Sequence, residues 1–198
     1  MSPPGQIVLL NGASSAGKTS LAGQLLTVLD GPRFRRPYFH LSVDAFGAMR
    51  AARPTTQLSP AEVTDVLTRT RAGFHRAVAG MARAGNDVVA DHVLSEPWRL
   101  RDCLEVMAGL DVVLVGVHCS AEELARRERV RGDRRIGQAA AQVERVHAHG
   151  VYDVECDTTT TTPYDCAVRI RDFLLARPPG PTAFDRLRAA AAGRPYGR

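Results

Sequence analysis

Lysine is nearly absent from this chain: among 26 basic side chains Lys18 is the single lysine, and the rest are arginine. That scarcity excludes a GTPase reading guanine through an N/T-K-x-D motif, which needs a second lysine. Cysteine is scarce too, with four in 198 residues. Cys103, Cys119, Cys156 and Cys166 show no C-x-x-C spacing, which weighs against zinc and disulfides. Cys119 and Cys156 sit on strand-like segments and read as buried free thiols, in keeping with a reducing cytoplasm. No apolar run reaches the roughly 20 residues that span a bilayer. The start, "MSPPGQIVLL", lacks a charged n-region and runs into a strand-like segment, so a signal peptide is not expected. An LSGGQ-like transporter signature, the protein-kinase motif set and any internal repeat are also missing.

What is present suits one soluble domain: 44% hydrophobic and 24% charged residues, in a length that buries a substantial core. The net charge of +5 suggests nucleic acid until it is located. Beyond residue 176, Arg177, Arg186, Arg188, Arg194 and Arg198 stand against Asp185, so most of the excess lies in the tail. No aromatic-interleaved basic surface accompanies it, and neither a nucleic-acid partner nor a membrane is expected.

Five strand-like segments, "QIVLLNG", "YFHLSVDAF", "NDVVADHVL", "DVVLVGVHC" and "YDVECDT", alternate with helical patterns. Three are nearly continuous apolar runs, as in strands covered on both faces. Ser59-Pro60-Ala61-Glu62 is a capping box opening a helix that runs to about Ala84, where Gly85 ends it. Ser120-Ala121-Glu122-Glu123 and Thr162-Pro163 mark two more helix starts. The threonine run at 158–162 reads as a loop and cap. The pattern predicts an α/β fold with a five-stranded parallel sheet and helices on both faces. It places one domain over residues 1–177. After the "RPPGP" break, residues 178–198 read as a basic tail with a short surface helix.

Gly12, Ala13, Ser14, Ser15, Ala16, Gly17, Lys18 and Thr19 fit G-x-x-x-x-G-K-[ST], between a strand and a helical pattern as the Walker A loop requires. Small residues let successive backbone N–H groups curl around a phosphate at a helix N-terminus. Lysine presents a compact ammonium to the β- and γ-phosphates where arginine's planar fork would crowd the loop. Thr19 offers a hydroxyl to Mg²⁺, and Ser20 follows in the nucleotide-lining set. The length leaves no room for a motor ATPase with a separate lid domain. A compact ATP-dependent kinase for a small acceptor remains.

Such an enzyme needs a carboxylate to steer the acceptor, another near the metal, and cations on the transferring group. Asp44 closes the strand-like "HLSVDAF", in the crevice where open parallel sheets bind ligands. It reads as base or orienter, or else as a helix cap. Asp91 ends "DVVAD" in a Walker-B-like position, as a metal-linked carboxylate or the same kind of cap. His92 beside it reads as packed or hydrogen-bonded. In "ARRERVRGDRRIG", most of Arg126, Arg127 and Arg129 are expected on a solvated helix face. Arg131, Arg134 and Arg135 straddle Gly132 and would form a lid over ATP. His147 and His149 read as surface histidines, with no third metal ligand near.

Taken together, "LNGASSAGKTS", "VDAF", "GMARAGNDVVADHVL", "LDVVLVGVHCSAEEL", "RGDRRIGQAAAQ" and "HGVYDVECDTT" resemble the chloramphenicol phosphotransferase family. The similarity covers most of residues 6–160. It implies a relative of nucleoside-monophosphate kinases that uses ATP to phosphorylate a primary hydroxyl of an antibiotic. By this resemblance Asp44 matches the family's base, and Arg131 and Arg134 match its nucleotide-side arginines. Residues 47–75 look shorter and differently composed than the family's acceptor region, and "DH" at 91–92 stands where two acids are expected. Two alternatives remain at this point: a nucleoside, nucleotide or other metabolite kinase, and a nucleotide-dependent regulatory module whose partner reads the arginine tail.

Overall fold

The computed structural model describes residues 3–50, 57–131, 139 and 142–193. In chain order the elements are β1 (Gln6–Asn11), α1 (Lys18–Leu29), β2 (Tyr38–Ser42), α2 (Val43–Ala48), α3 (Pro60–Arg83), β3 (Asp87–His92) and α4 (Pro97–Val106). They continue as β4 (Asp111–His118), α5 (Ala121–Arg131), α6 (Val143–Val146), β5 (Val154–Asp157), α7 (Pro163–Ala176) and α8 (Ala183–Ala192). The five strands form one parallel sheet in the order β2-β3-β1-β4-β5. A parallel sheet must be covered on both faces, and β1 shows how. Alternate side chains point to opposite faces: Val8 and Leu10 pack with α1 and α7, while Ile7 and Leu9 pack with α3, α4 and α8.

Local signals set the helix ends. The Ser59 hydroxyl accepts from Glu62 N at 3.3 Å, and Glu62 Oε2 accepts from Ser59 N at 2.8 Å, with Pro60 first in α3. Thr162 accepts from Asp165 N at 3.1 Å, and Pro163 opens α7. Gly85, at φ +98°, lets the chain turn from α3 into β3 in a conformation that other residues resist.

Two expectations about organisation change. The second strand stops at Ser42, so Asp44 stands in the first turn of α2 rather than at a strand end. An acidic residue is favoured there by the helix dipole. The expected surface helix of the tail is docked instead. Phe184 is 2% exposed and Ala183 fully buried within the α3–α4 layer. Asp153 braces the join, accepting Leu114 N at 2.8 Å through one oxygen and Ala183 N at 2.6 Å through the other. Burying an aromatic ring outweighs the freedom that the preceding proline-rich break allows.

Candidate active site

The described pieces of the site gather at the carboxyl ends of the strands. After β1 the chain turns at Gly12, where a Cβ would sit 2.4 Å from the Val117 carbonyl oxygen, so glycine alone fits. Ser15 and Gly17 take positive φ, 61° and 83°, and this alternation turns the loop's amides inward in the manner of an anion nest. Gly17 leads directly into α1, which adds the free amides of its first turn. The Lys18 ammonium is buried and folded back on the loop, donating to Gly12 O at 2.9 Å and Ala13 O at 2.7 Å. Ser14 N donates to Gln142 Oε1 at 3.1 Å. Ser20 follows Thr19 on the exposed first turn of α1.

Distant residues support the loop from behind. The Thr158 hydroxyl lies 2.8 Å from Ala16 O and 3.0 Å from His118 O. Arg127 turns inward instead of joining the solvated face. Its guanidinium donates to Ser15 O at 3.3 Å and Thr158 O at 2.6 Å, and its Nε donates to Glu123 at 2.8 Å. Arg126 and Arg129 are exposed, as expected. Hydrogen bonds from Arg126 and Arg127 hold the Glu123 carboxyl down to about 2. At the end of β1, fully buried Asn11 donates to Val146 O at 2.8 Å and Tyr152 Oη at 2.9 Å, and accepts from Leu94 N at 3.0 Å. Beside it His147 stacks on His118 at 4.1 Å and lies 2.6 Å from Tyr152 Oη. Burial, with His118 and His149 nearby, pushes His147 down to about 4. His147 and His149 are thus half-buried packing partners, not surface histidines.

Between the loop and α5 lies a cleft of about 370 Å³, lined by Ser15, Lys18, Thr19, Arg126, Arg127 and Thr161 among others. Next to Thr19, Asp91 is 3% exposed and collects three donors. Oδ2 faces His40 Nε2 at 2.8 Å and Thr19 Oγ1 at 3.3 Å, and Oδ1 accepts from Ser42 Oγ at 3.1 Å. A threonine hydroxyl and a carboxylate side by side, both oxygen donors at a phosphate loop, suit a magnesium ion with its phosphate and water ligands. Asp44 is exposed on α2, whose Phe46 packs edge-on against Phe74 of α3, 5.7 Å between centroids. Of the lid arginines, the backbone of Arg131 ends α5, while Arg134 and Arg135 lie outside the described residues.

One buried network went unforeseen. Asp102 Oδ2 approaches His75 Nδ1 at 2.5 Å, and His75 Nε2 lies 2.7 Å from His92 Nε2. His92 is therefore hydrogen-bonded and packed, as its sequence position suggested. Burial lowers the pKa of both imidazoles.

A parallel sheet in this order, with a Walker A loop after its first strand and a carboxylate beside the loop threonine, defines a P-loop kinase of small molecules. The chain belongs to the chloramphenicol phosphotransferase-like family, whose pattern it matches over residues 5–175. Two proteins of Mycobacterium tuberculosis, from strains CDC 1551 / Oshkosh and H37Rv, are provisionally named O-phosphotransferases. Each is 34% identical to it across 94% of this chain and 89% of their own. Among solved structures, the M. tuberculosis APS kinase in complex with AMPPNP and APS superposes with a TM-score of 0.63, at 19% identity over 87% of this chain and 99% of that one. A Deinococcus radiodurans tunicamycin resistance protein gives 0.59, at 17% identity over 88% and 96%. Acinetobacter baumannii shikimate kinase gives 0.56, at 15% identity over 88% and 94%. Their likeness is one of fold. The family and fold make this protein a nucleotide-dependent phosphotransferase with an alcohol acceptor.

Proposed function

We propose that this enzyme moves the γ-phosphoryl group of ATP, with Mg²⁺, onto a hydroxyl of a small antibiotic-like molecule. The observation that supports the reading is the cleft at the phosphate loop, with Asp91 hydrogen-bonded to the loop's Thr19; α2, which bears Asp44, follows directly on β2, whose Ser42 also bonds Asp91. Residues 12–20 hold the triphosphate, and Lys18 leaves its loop carbonyls to contact the β- and γ-oxygens. Arg131, Arg134 and Arg135 act from the lid on the transferring group, with Arg131 and Arg134 stabilising the charge that spreads in the transition state. Thr19 and Asp91 hold the metal, which when bound neutralises phosphate charge. Asp44 orients the acceptor hydroxyl and takes its proton late, since an alcohol is far too weak an acid to ionise first.

The test is a thermal-shift screen of hydroxylated antibiotics with a non-hydrolysable ATP analogue bound. Hits are then assayed for the mass gain of one phosphoryl group with ATP. Phosphorylation of an antibiotic at a turnover above that on nucleosides and common sugars is expected. Turnover on nucleosides or nucleotides alone would place the enzyme in ordinary metabolism. ATP binding with no transfer to any acceptor would favour a regulatory module.

A further inference from the structure

Arg71 stands on α3 near the carboxyl edge of the sheet, and among the described residues no counter-charge pairs with it. Its place follows from the register of α3. That helix feeds directly into β3, so it runs from the carboxyl edge of the sheet toward the amino edge. His75 of α3 touches His92, the last residue of β3. Arg71 precedes His75 by one turn, on the face shared with Phe74, His75 and Val78, all buried. At 1.5 Å per residue it stands about 6 Å beyond the strand end, where ligands of open parallel sheets gather. Phe74, one turn below, packs on Phe46 of α2, the helix that begins with Val43 and Asp44. Arg71 and Asp44 therefore flank the same α2–α3 contact.

Among the described residues, the nearby carboxylates have other partners. Asp102 is taken by His75 and by Arg76, the latter at 3.2 Å. Glu96 is taken by Arg99 and by Trp98 Nε1 at 2.9 Å. Asp65 pairs with Arg69 at 3.1 Å, and Asp91 already has three donors. Among the described residues the half-buried Arg71 makes no hydrogen bond or ion pair. Its charge acts on another arginine, Arg99. Arg99 is 7% exposed, its Nη1 donates to Val93 O at 2.9 Å and to Ser95 Oγ at 3.0 Å, and its buried Nε has no partner. After burial itself, the charge of Arg71 is the largest influence lowering the Arg99 pKa. Two guanidinium groups that are both partly withdrawn from water repel each other, and a bound anion removes that cost.

We propose that Arg71, backed by Arg99, forms an anion subsite beside the phosphoryl-transfer crevice, and that the acceptor is an acidic hydroxylated molecule carrying a carboxylate, phosphate or sulfate. The substrate part of this inference rests on the phosphotransferase reading; the subsite itself does not. Arginine suits the task because its planar fork donates two parallel hydrogen bonds to such groups. Arg71 is a binding residue in this scheme, so it acts on KM before kcat.

The phosphate loop also binds anions, so the test begins with that loop filled by AMPPNP and Mg²⁺. Inorganic sulfate, phosphate and acetate are titrated separately into wild type, Arg71→Gln and Arg71→Lys, read by calorimetry, after each variant's melting confirms that it folds. Wild type should bind at least one of these anions, and Arg71→Gln should weaken that binding roughly 10- to 100-fold. Arg71→Lys should restore part of it. The preferred anion tells carboxylate from phosphate or sulfate. In parallel, acidic and neutral members of a hydroxylated acceptor library are compared for phosphorylation. The acidic members should show the higher kcat/KM, and Arg71→Gln should erase that preference through KM. Acidic acceptors that turn over no better than neutral ones in wild type, or equally well in wild type and Arg71→Gln, would overturn the inference while leaving the phosphotransferase intact. If nothing is phosphorylated, the phosphotransferase reading fails and the anion titration alone decides the subsite. Equal anion binding by wild type and Arg71→Gln would sink it.

Discussion

Replacing Asp91 by asparagine separates its structural work from its proposed catalytic work. The carboxylate is 3% exposed and takes hydrogen bonds from His40, Ser42 and Thr19. An amide placed there can keep its oxygen toward His40 and Thr19 and turn its nitrogen toward Ser42, whose hydroxyl can rotate to accept. All three contacts survive in form, but the charge that strengthens them is gone. A hydrogen bond to a charged group contributes about 1.5–3 kcal/mol against about 0.5–1.5 for a neutral one. Relief from burying an anion opposes part of that loss. The expected net destabilisation is about 1–3 kcal/mol. For a chain of 198 residues this lowers the melting temperature by roughly 3–9 °C. Turnover should fall further than stability, by roughly 10²–10³, with more magnesium needed for half-maximal rate. The assays are thermal melting without nucleotide and initial rates over a magnesium series. A normal melting temperature would show that the three contacts do not depend on the charge. A lowered melting temperature with unchanged turnover and magnesium dependence would reduce Asp91 to a lock joining β2, β3 and α1.

Three further outcomes are expected. Asp44→Asn should lower kcat by roughly 10²–10⁴ while sparing ATP affinity, since the loop amides and Lys18 hold the nucleotide without it; near-normal kcat in steady-state assays would leave Asp44 a helix-start residue. Phe184→Ala should cost about 3–5 kcal/mol in urea unfolding, because its ring is 2% exposed in the α3–α4 layer; a change under about 1 kcal/mol would return α8 to the surface. His147, held at about 4 by burial, stays neutral in the fold while the unfolded chain takes up a proton near 6.5. Its contribution to stability is therefore present above about pH 6.5 and is lost as pH falls toward 4. His147→Phe should flatten the dependence of melting temperature on pH across that window, and an unaltered slope would refute the assignment.

The phosphate loop was legible because it is contiguous. A strand, a loop of small residues, one lysine and a helix start follow one another, and each has a local signal. The five strands and the caps at Ser59 and Thr162 were legible for the same reason. What escaped was contact between distant segments. Nothing near Arg127 in the chain says that it reaches Ser15 and Thr158, because its neighbours Arg126 and Arg129 face solvent. Asn11 reads as the end of a strand until Val146, Tyr152 and Leu94 converge on it. The docking of α8 did leave a trace: Thr182 and Asp185 form a capping box, and Ala183, Phe184 and Leu187 make an apolar stripe. The proline-rich break before it says where one helix stops, not whether the next one packs.

The proposed acceptor half is assembled differently. Asp44 comes from α2, Arg71 from α3, His92 from β3 and Arg99 from α4, four segments spread over more than fifty positions. Phe46 on Phe74, His75 on His92 and Asp102 on His75 hold these segments together, all of them below the level of Arg71. Side chains above that level, Arg71 among them, carry little of the packing, so the fold tolerates their replacement. Residues below it tie three elements at once, and a change there costs stability before it alters preference. On the proposed reading, acceptor choice rests with a few positions at the rim of α2 and α3. The phosphate loop has no comparable freedom: a methyl group added at Gly12 would stand 2.4 Å from the Val117 carbonyl oxygen.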